Sequence, residues 1–99
     1  MINFIYKLQN IDFEWNVEKA ERNLKNHGIS FQTACQVFFD PFLHVEDAGS
    51  VEEEKREAVL GLTLNWKFLY VVYVMRDDTI RIISAREATA QERIRYENL

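Results

Sequence analysis

The sequence predicts an α+β fold, in which two helices are followed by an antiparallel β-meander and a closing helix. Three observations carry that expectation. Asn16 to Pro41 holds two capped, amphipathic stretches. Phe42 to Arg86 is rich in β-branched and aromatic residues, with turn signals between the runs. Thr89 and Glu92 then have the Thr-x-x-Glu spacing that opens a helix. At 99 residues, 47% of them hydrophobic, the chain is expected to be one domain, 1–99, burying roughly two-thirds of its unfolded surface.

Taken in order, residues 1–10 have no clear period and read as an N-terminal extension able to add an edge strand. Ile11 to Trp15 is a short strand. Asn16 is placed to cap a helix running to His27, with Val17, Ala20 and Leu24 on its inner stripe. Gly28 occupies the C′ position, and Lys25 and His27 lie in the last turn, where positive charge suits the helix dipole. Ser30 caps a second helix with Phe31, Ala34, Cys35, Val37 and Phe38 on its apolar face, and Pro41 closes it.

The second half is expected to be strands. Phe42 to Glu46 is a short one, and Asp47 to Glu53 reads as an acidic loop. Lys55 to Thr63 alternates, with Arg56, Ala58 and Leu60 on one face. Asn65 and Trp66 fall in a turn. Phe68 to Val74 is almost wholly apolar, the mark of a central strand covered on both sides. Arg76-Asp77-Asp78 turns into Thr79 to Arg86, where strict alternation puts Arg81, Ile83 and Ala85 on one face and Ile80, Ile82, Ser84 and Arg86 on the other. A helix carrying Arg93, Arg95 and Tyr96 ends the order β-α-α-β-β-β-β-α.

Charge and cysteine content narrow the function. Sixteen acids against twelve bases give a net charge of −4, unlike a protein that coats nucleic acid non-specifically. Five of the seven arginines lie from Arg76 onward, so a local basic site on an acidic body is consistent with the balance. One cysteine excludes an intrachain disulfide, and a cytoplasmic location is expected. No apolar run is long enough to span a bilayer and no signal-peptide cleavage site is visible, so no membrane association is expected. Metal-ligand spacings, Gly-rich phosphate loops and nucleophile elbows are absent from the sequence, and no cofactor is expected.

Two motifs in order resemble a known family. Phe13-Glu14-Trp15, Asn23, Lys25-Asn26-His27-Gly28-Ile29-Ser30-Phe31 and Phe38 with Asp40-Pro41 resemble the N-terminal signature of BrnT-type toxins. Arg56 with Gly61, Val71-Val72-Tyr73, Arg81-Ile82-Ile83-Ser84-Ala85-Arg86, Ala88-Thr89, Glu92-Arg93 and Tyr96 resemble its C-terminal signature. The resemblance runs from Phe13 to Tyr96. It implies a ribonuclease toxin of a bacterial type II toxin–antitoxin system with a RelE-like fold. It also implies a BrnA-type antitoxin as partner, through which alone the toxin would meet operator DNA.

Metal-free RNA cleavage uses the 2′-hydroxyl as nucleophile and needs a base, cations for the phosphorane, and an acid for the departing 5′-oxygen. Arginine suits the cationic role, because its planar fork holds two phosphoryl oxygens and keeps its charge. Arg56, Arg81 and Arg86 are the catalytic candidates, expected to converge unneutralised on one cationic hollow; pairing with Glu54, Glu57, Glu87 or Glu92 is the structural alternative. His27 joins them through the resemblance, since by position alone it is a helix-end histidine. Lys25, Ser84 and Tyr96 are candidates for RNA contact, although Ser84 can equally bond backbone and Tyr96 can equally pack. His44 and Cys35 read as structural. The competing reading is a non-enzymatic protein-binding module of the same fold, with arginines and aromatics gripping a partner.

Overall fold

The computed structural model describes residues 2–98. Strands β1 (Asn3–Leu8) and β2 (Ile11–Asn16) form a hairpin, followed by helices α1 (Val17–His27) and α2 (Phe31–Cys35) and a 3-10 turn at Gln36–Phe39. Strands β3 (His44–Val51), β4 (Glu54–Leu62), β5 (Phe68–Arg76) and β6 (Thr79–Glu87) follow, and α3 (Ala90–Glu97) closes the chain. The six strands make one sheet in the order β1-β2-β6-β5-β4-β3. Among the described residues, no helix is long and apolar enough to cross a membrane.

Capping explains where the helices begin. Asn16 accepts a hydrogen bond from the Lys19 amide, and Ser30 accepts one from Thr33. Thr89 and Glu92 form the reciprocal capping box. Gly28 ends α1 in the left-handed region at φ 70°, with its amide donating to the Leu24 carbonyl.

The structure corrects four expectations. The sheet is mixed, because β2 runs parallel to β6 while every other pairing is antiparallel. After β2 the two helices carry the chain across one face and the meander returns β6 alongside it, so the first strand of the domain core ends up beside the last. Residues 47–51 are strand, not loop. β3 continues through them as an edge strand with a register shift between Asp47 and Ser50, where polar residues on both faces are tolerated. Glu52 and Glu53 make the turn at φ 51° and 65°, a conformation that neither residue type signals.

The third correction concerns α1. Leu24 is 51% exposed, and the buried residue of the helix is Asn23. Its side chain donates to the Ile29 and Ala85 carbonyls and accepts from the Ala85 amide. One amide thus ties α1 to β6 and satisfies three backbone groups in the core.

The fourth correction lies in β6. Tyr73 pairs with Ile82 and Val72 pairs with Ser84, leaving Ile83 as an extra residue opposite no partner. This bulge breaks the strict alternation. Ile82 and Ala85 both face the helices, in a core with Phe13, Trp15, Phe31, Val71 and Tyr73. Arg81 (paired with Val74), Ser84 (with Val72) and Arg86 (with Tyr70) leave the opposite face. Cys35 is fully enclosed in the core, and burial pushes its thiol up to about 12.

Replacing Asn23 by Ala strands the Ile29 carbonyl and both Ala85 backbone groups. The expected loss is roughly 2–4 kcal/mol of unfolding free energy, read from the urea midpoint at unchanged m-value.

Candidate active site on the open face of the sheet

α1 and α2 cover one face of the sheet. The other is partly covered, at one end, by α3. That helix is held by polar contacts and by Tyr96, whose ring meets Phe68 edge-on at 4.6 Å and whose hydroxyl donates to Asp40 at 2.7 Å. Burial and that carboxylate raise Tyr96 to about 12, so it remains a phenol that anchors the helix.

Beneath α3 lies a connected set of charges. Arg86 donates to both Glu92 oxygens at 2.7 Å and to the Glu87 carbonyl at 3.1 Å, and its guanidinium lies 4.2 Å from the centre of the Tyr70 ring. Arg95 holds Glu46 through two bonds of 3.0 and 2.9 Å. The His44 Nε2 is 3.3 Å from the same carboxylate. Hydrogen bonding from Arg86 pulls Glu92 down to about 2, and the bonds from Arg95 likewise lower Glu46. Burial, then the charges of Glu46 and Glu92, raise Tyr70.

Further along the same face is a second set. Arg81 is buried at 8% exposure and pairs with Glu14, its register partner on the parallel strand β2, while its other amine donates to Asn3. Arg76 makes a two-pronged contact with Glu54 at 2.9 and 3.0 Å. That contact lowers the Glu54 carboxyl, with Arg56 and Arg81 close enough to add to the effect. Arg56 itself makes no ion pair among the described residues, and its Nε is enclosed without a partner. An enclosed guanidinium N–H with nothing to donate to is an unmet donor within the protein.

The structure therefore brings Arg56, Arg81, Ser84 and Arg86 to one face but not to one hollow. Arg81 and Arg86 are each neutralised by a glutamate, and Arg86 belongs to the α3 end while Arg81 and Arg56 belong to the other. His27 and Lys25 are exposed at the end of α1, in the layer on the opposite side of the sheet. Sequence reading had no means of finding Glu14 as the partner of Arg81, at a separation of 67 residues. It also passed over His44 and Glu46, whose i, i+2 spacing on a strand was the available signal.

Chemically, the face offers cations fixed on rigid strands, a carboxylate–imidazole pair and a phenol. The family pattern described as "Ribonuclease toxin, BrnT, of type II toxin-antitoxin system" matches residues 15–92. The chain belongs to the BrnT family. It matches no curated protein. BrnT membership brings with it ribonuclease activity as the family's character and an antitoxin as partner. The matched span includes Arg56, Arg81, Arg86 and Glu92 but stops short of Arg95 and Tyr96, and it begins after Glu14. The carboxylate facing Arg81 is thus supplied from outside the segment that matches the family.

Because Glu92 titrates near 2 when folded against an ordinary value of 4.5, it stabilises the fold above that ordinary value. The contribution is lost as pH falls from 4.5 toward 2. Glu92→Gln is expected to lower stability at neutral pH and to flatten this acid dependence, measured by urea unfolding across the range.

Proposed function

We propose that this BrnT toxin is an endoribonuclease that cleaves RNA without a metal and inhibits translation in the cytoplasm, with the open sheet face as its substrate surface. The observation that carries this reading is that guanidinium groups from β4 and β6 lie on one face of the sheet, with Arg56 free of any ion pair among the described residues. Arg56 would take a phosphoryl oxygen directly. Arg81 and Arg86 would exchange Glu14 and Glu92 for the phosphates on either side, a substitution of one anion for another that preserves their charge balance. Ser84, between Arg81 and Arg86 on the strand, would donate to a bound phosphate. A parallel strand beside the last strand of a meander, with a helix across the open face, is the architecture we read as RelE-like, and the ribosome is a candidate site of cleavage.

The partner in this reading is a BrnA-type antitoxin that covers the arginine-bearing face, so that bound and active forms exclude each other. Operator DNA is contacted by the antitoxin, not by this chain. A purified complex that cleaves RNA at the rate of the free toxin is the result that excludes such a blocking arrangement.

A second reading draws on a different observation. Phe42, Leu64 and Trp66 are 74%, 82% and 80% exposed around an apolar hollow of about 330 Å³, and two of the three candidate arginines are already paired. These features suit a protein-binding module of the same fold that has no catalytic role.

Expression of the free chain in a bacterium separates the two. Growth arrest with RNA cleavage is expected, and Arg81→Ala or Arg86→Ala, each verified as folded, is expected to lower the cleavage rate by about 10²–10³-fold. A folded, soluble chain that neither arrests growth nor cuts RNA leaves the binding module in place.

A further inference from the structure

We propose that His44, oriented by Glu46, is the proton acceptor of the ribonucleolytic site, with Tyr70 and Arg86 completing it. The assignment rests on the ribonuclease reading above. It supplies a proton-moving group on the face where the arginines lie, which His27, across the sheet, does not.

The carrying observation is one row of the sheet. His44 on β3, Leu60 on β4, Tyr70 on β5 and Arg86 on β6 are successive register partners, so all four side chains leave the same face. The row spans three strand spacings of about 4.8 Å each. Arg86 shortens that span by lying back over the Tyr70 ring, which brings its charge one strand nearer to His44.

The pairing of His44 has a feature that an ordinary surface ion pair lacks. Glu46 is already neutralised by two bonds from Arg95, so it does not need His44 for charge balance. Both side chains of the His44–Glu46 pair are only 22% exposed, so the contact is held between the sheet and α3. A carboxylate fixed in this way orients the ring. Nε2 is the ring nitrogen beside Glu46, at 3.3 Å, which leaves Nδ1 as the nitrogen free of that contact. The charged and titratable groups facing this histidine are Glu46 on its own strand, Glu92 and Arg95 on α3, Tyr70 on β5 and Arg86 on β6. The neighbouring positions of β4, Leu60 and Ala58, carry no charge.

The step that follows is balanced. Neutral His44 Nδ1 takes the proton of the 2′-hydroxyl as the 2′-oxygen bonds to phosphorus. The bond from phosphorus to the 5′-oxygen breaks with its electron pair, and that oxygen leaves with the proton of the Tyr70 phenol. Arg86 meets the charge on the phosphoryl oxygens. The products are a 2′,3′-cyclic phosphate and a 5′-hydroxyl. The imidazolium and the phenolate then exchange the remaining proton through solvent, and both are restored.

The test uses the full chain, a short RNA across a range of pH, and a 2′-O-methyl analogue that binds but has no nucleophile. His44→Gln, checked for fold by circular dichroism, is expected to lower kcat by about 100-fold or more and to flatten the acid limb of the rate profile. Binding of the analogue should stay within about two-fold of wild type, because only a transition-state role is lost. Glu46→Gln is expected to lower kcat with KM unchanged. A His44→Gln chain that cleaves at the wild-type rate with an unaltered profile overturns the assignment. If Arg86→Ala is then still inactive, the arginine face survives that result; if Arg86→Ala is fully active too, both fall. A ring-nitrogen signal of His44 that does not move when the analogue is added to the wild-type chain also overturns the assignment, and needs no turnover.

Discussion

Between Tyr73 and Val72 on β5 the chain advances one residue, while the facing stretch of β6 advances from Ile82 through Ile83 to Ser84. That mismatch sets the chemistry of the open face. With strict alternation, Arg86 would share the helix-covered side with Ile82 and would have to be buried among Phe31, Val71 and Tyr73. The bulge lets Ile82 and Ala85 both enter the core and turns Ser84 and Arg86 outward with Arg81. Asn23 reinforces it from below, since its amide binds the backbone of Ala85 in both directions just past the extra residue. The polar clamp on one side of β6 and the arginine row on the other are two consequences of one local distortion.

Among the described residues, charge on this face is arranged so that every arginine of the strands and Arg95 of α3, except Arg56, has an assigned glutamate. Glu14 serves Arg81, Glu54 serves Arg76, Glu92 serves Arg86 and Glu46 serves Arg95. This explains how an acidic chain carries a basic strand without exposing a strongly positive field. α3 supplies two of these charges, Glu92 and Arg95, and is also held by Tyr96 on Phe68 and Asp40 and by Arg93 over the Phe68 ring.

Much of this architecture was legible in the chain. The helix starts at Asn16, Ser30 and Thr89 follow from side chains that satisfy free amides within three residues, an interaction that spacing alone reveals. The apolar run of β5 and the Arg56-Ala58-Leu60 face of β4 follow from period two. Reading failed where a partner came from far away or where the backbone left its regular path. Glu52 and Glu53 in a left-handed turn, Leu24 rotated outward in favour of Asn23, and the neutralised state of Arg81 and Arg86 are each decided by contacts between distant segments.

What the sequence determined by itself was the inventory and the local grammar: capped helices, a β-rich second half, a concentration of arginine toward the end, and the motifs that place the chain in the BrnT family. What only the tertiary structure decided was the side of the sheet each charge occupies and whether it stands alone. A face depends on the count of residues between register partners, and one uncounted residue at Ile83 reverses it. Neutralisation depends on which strand is laid alongside, and β2 delivers Glu14 to Arg81 through a parallel pairing that no local pattern encodes.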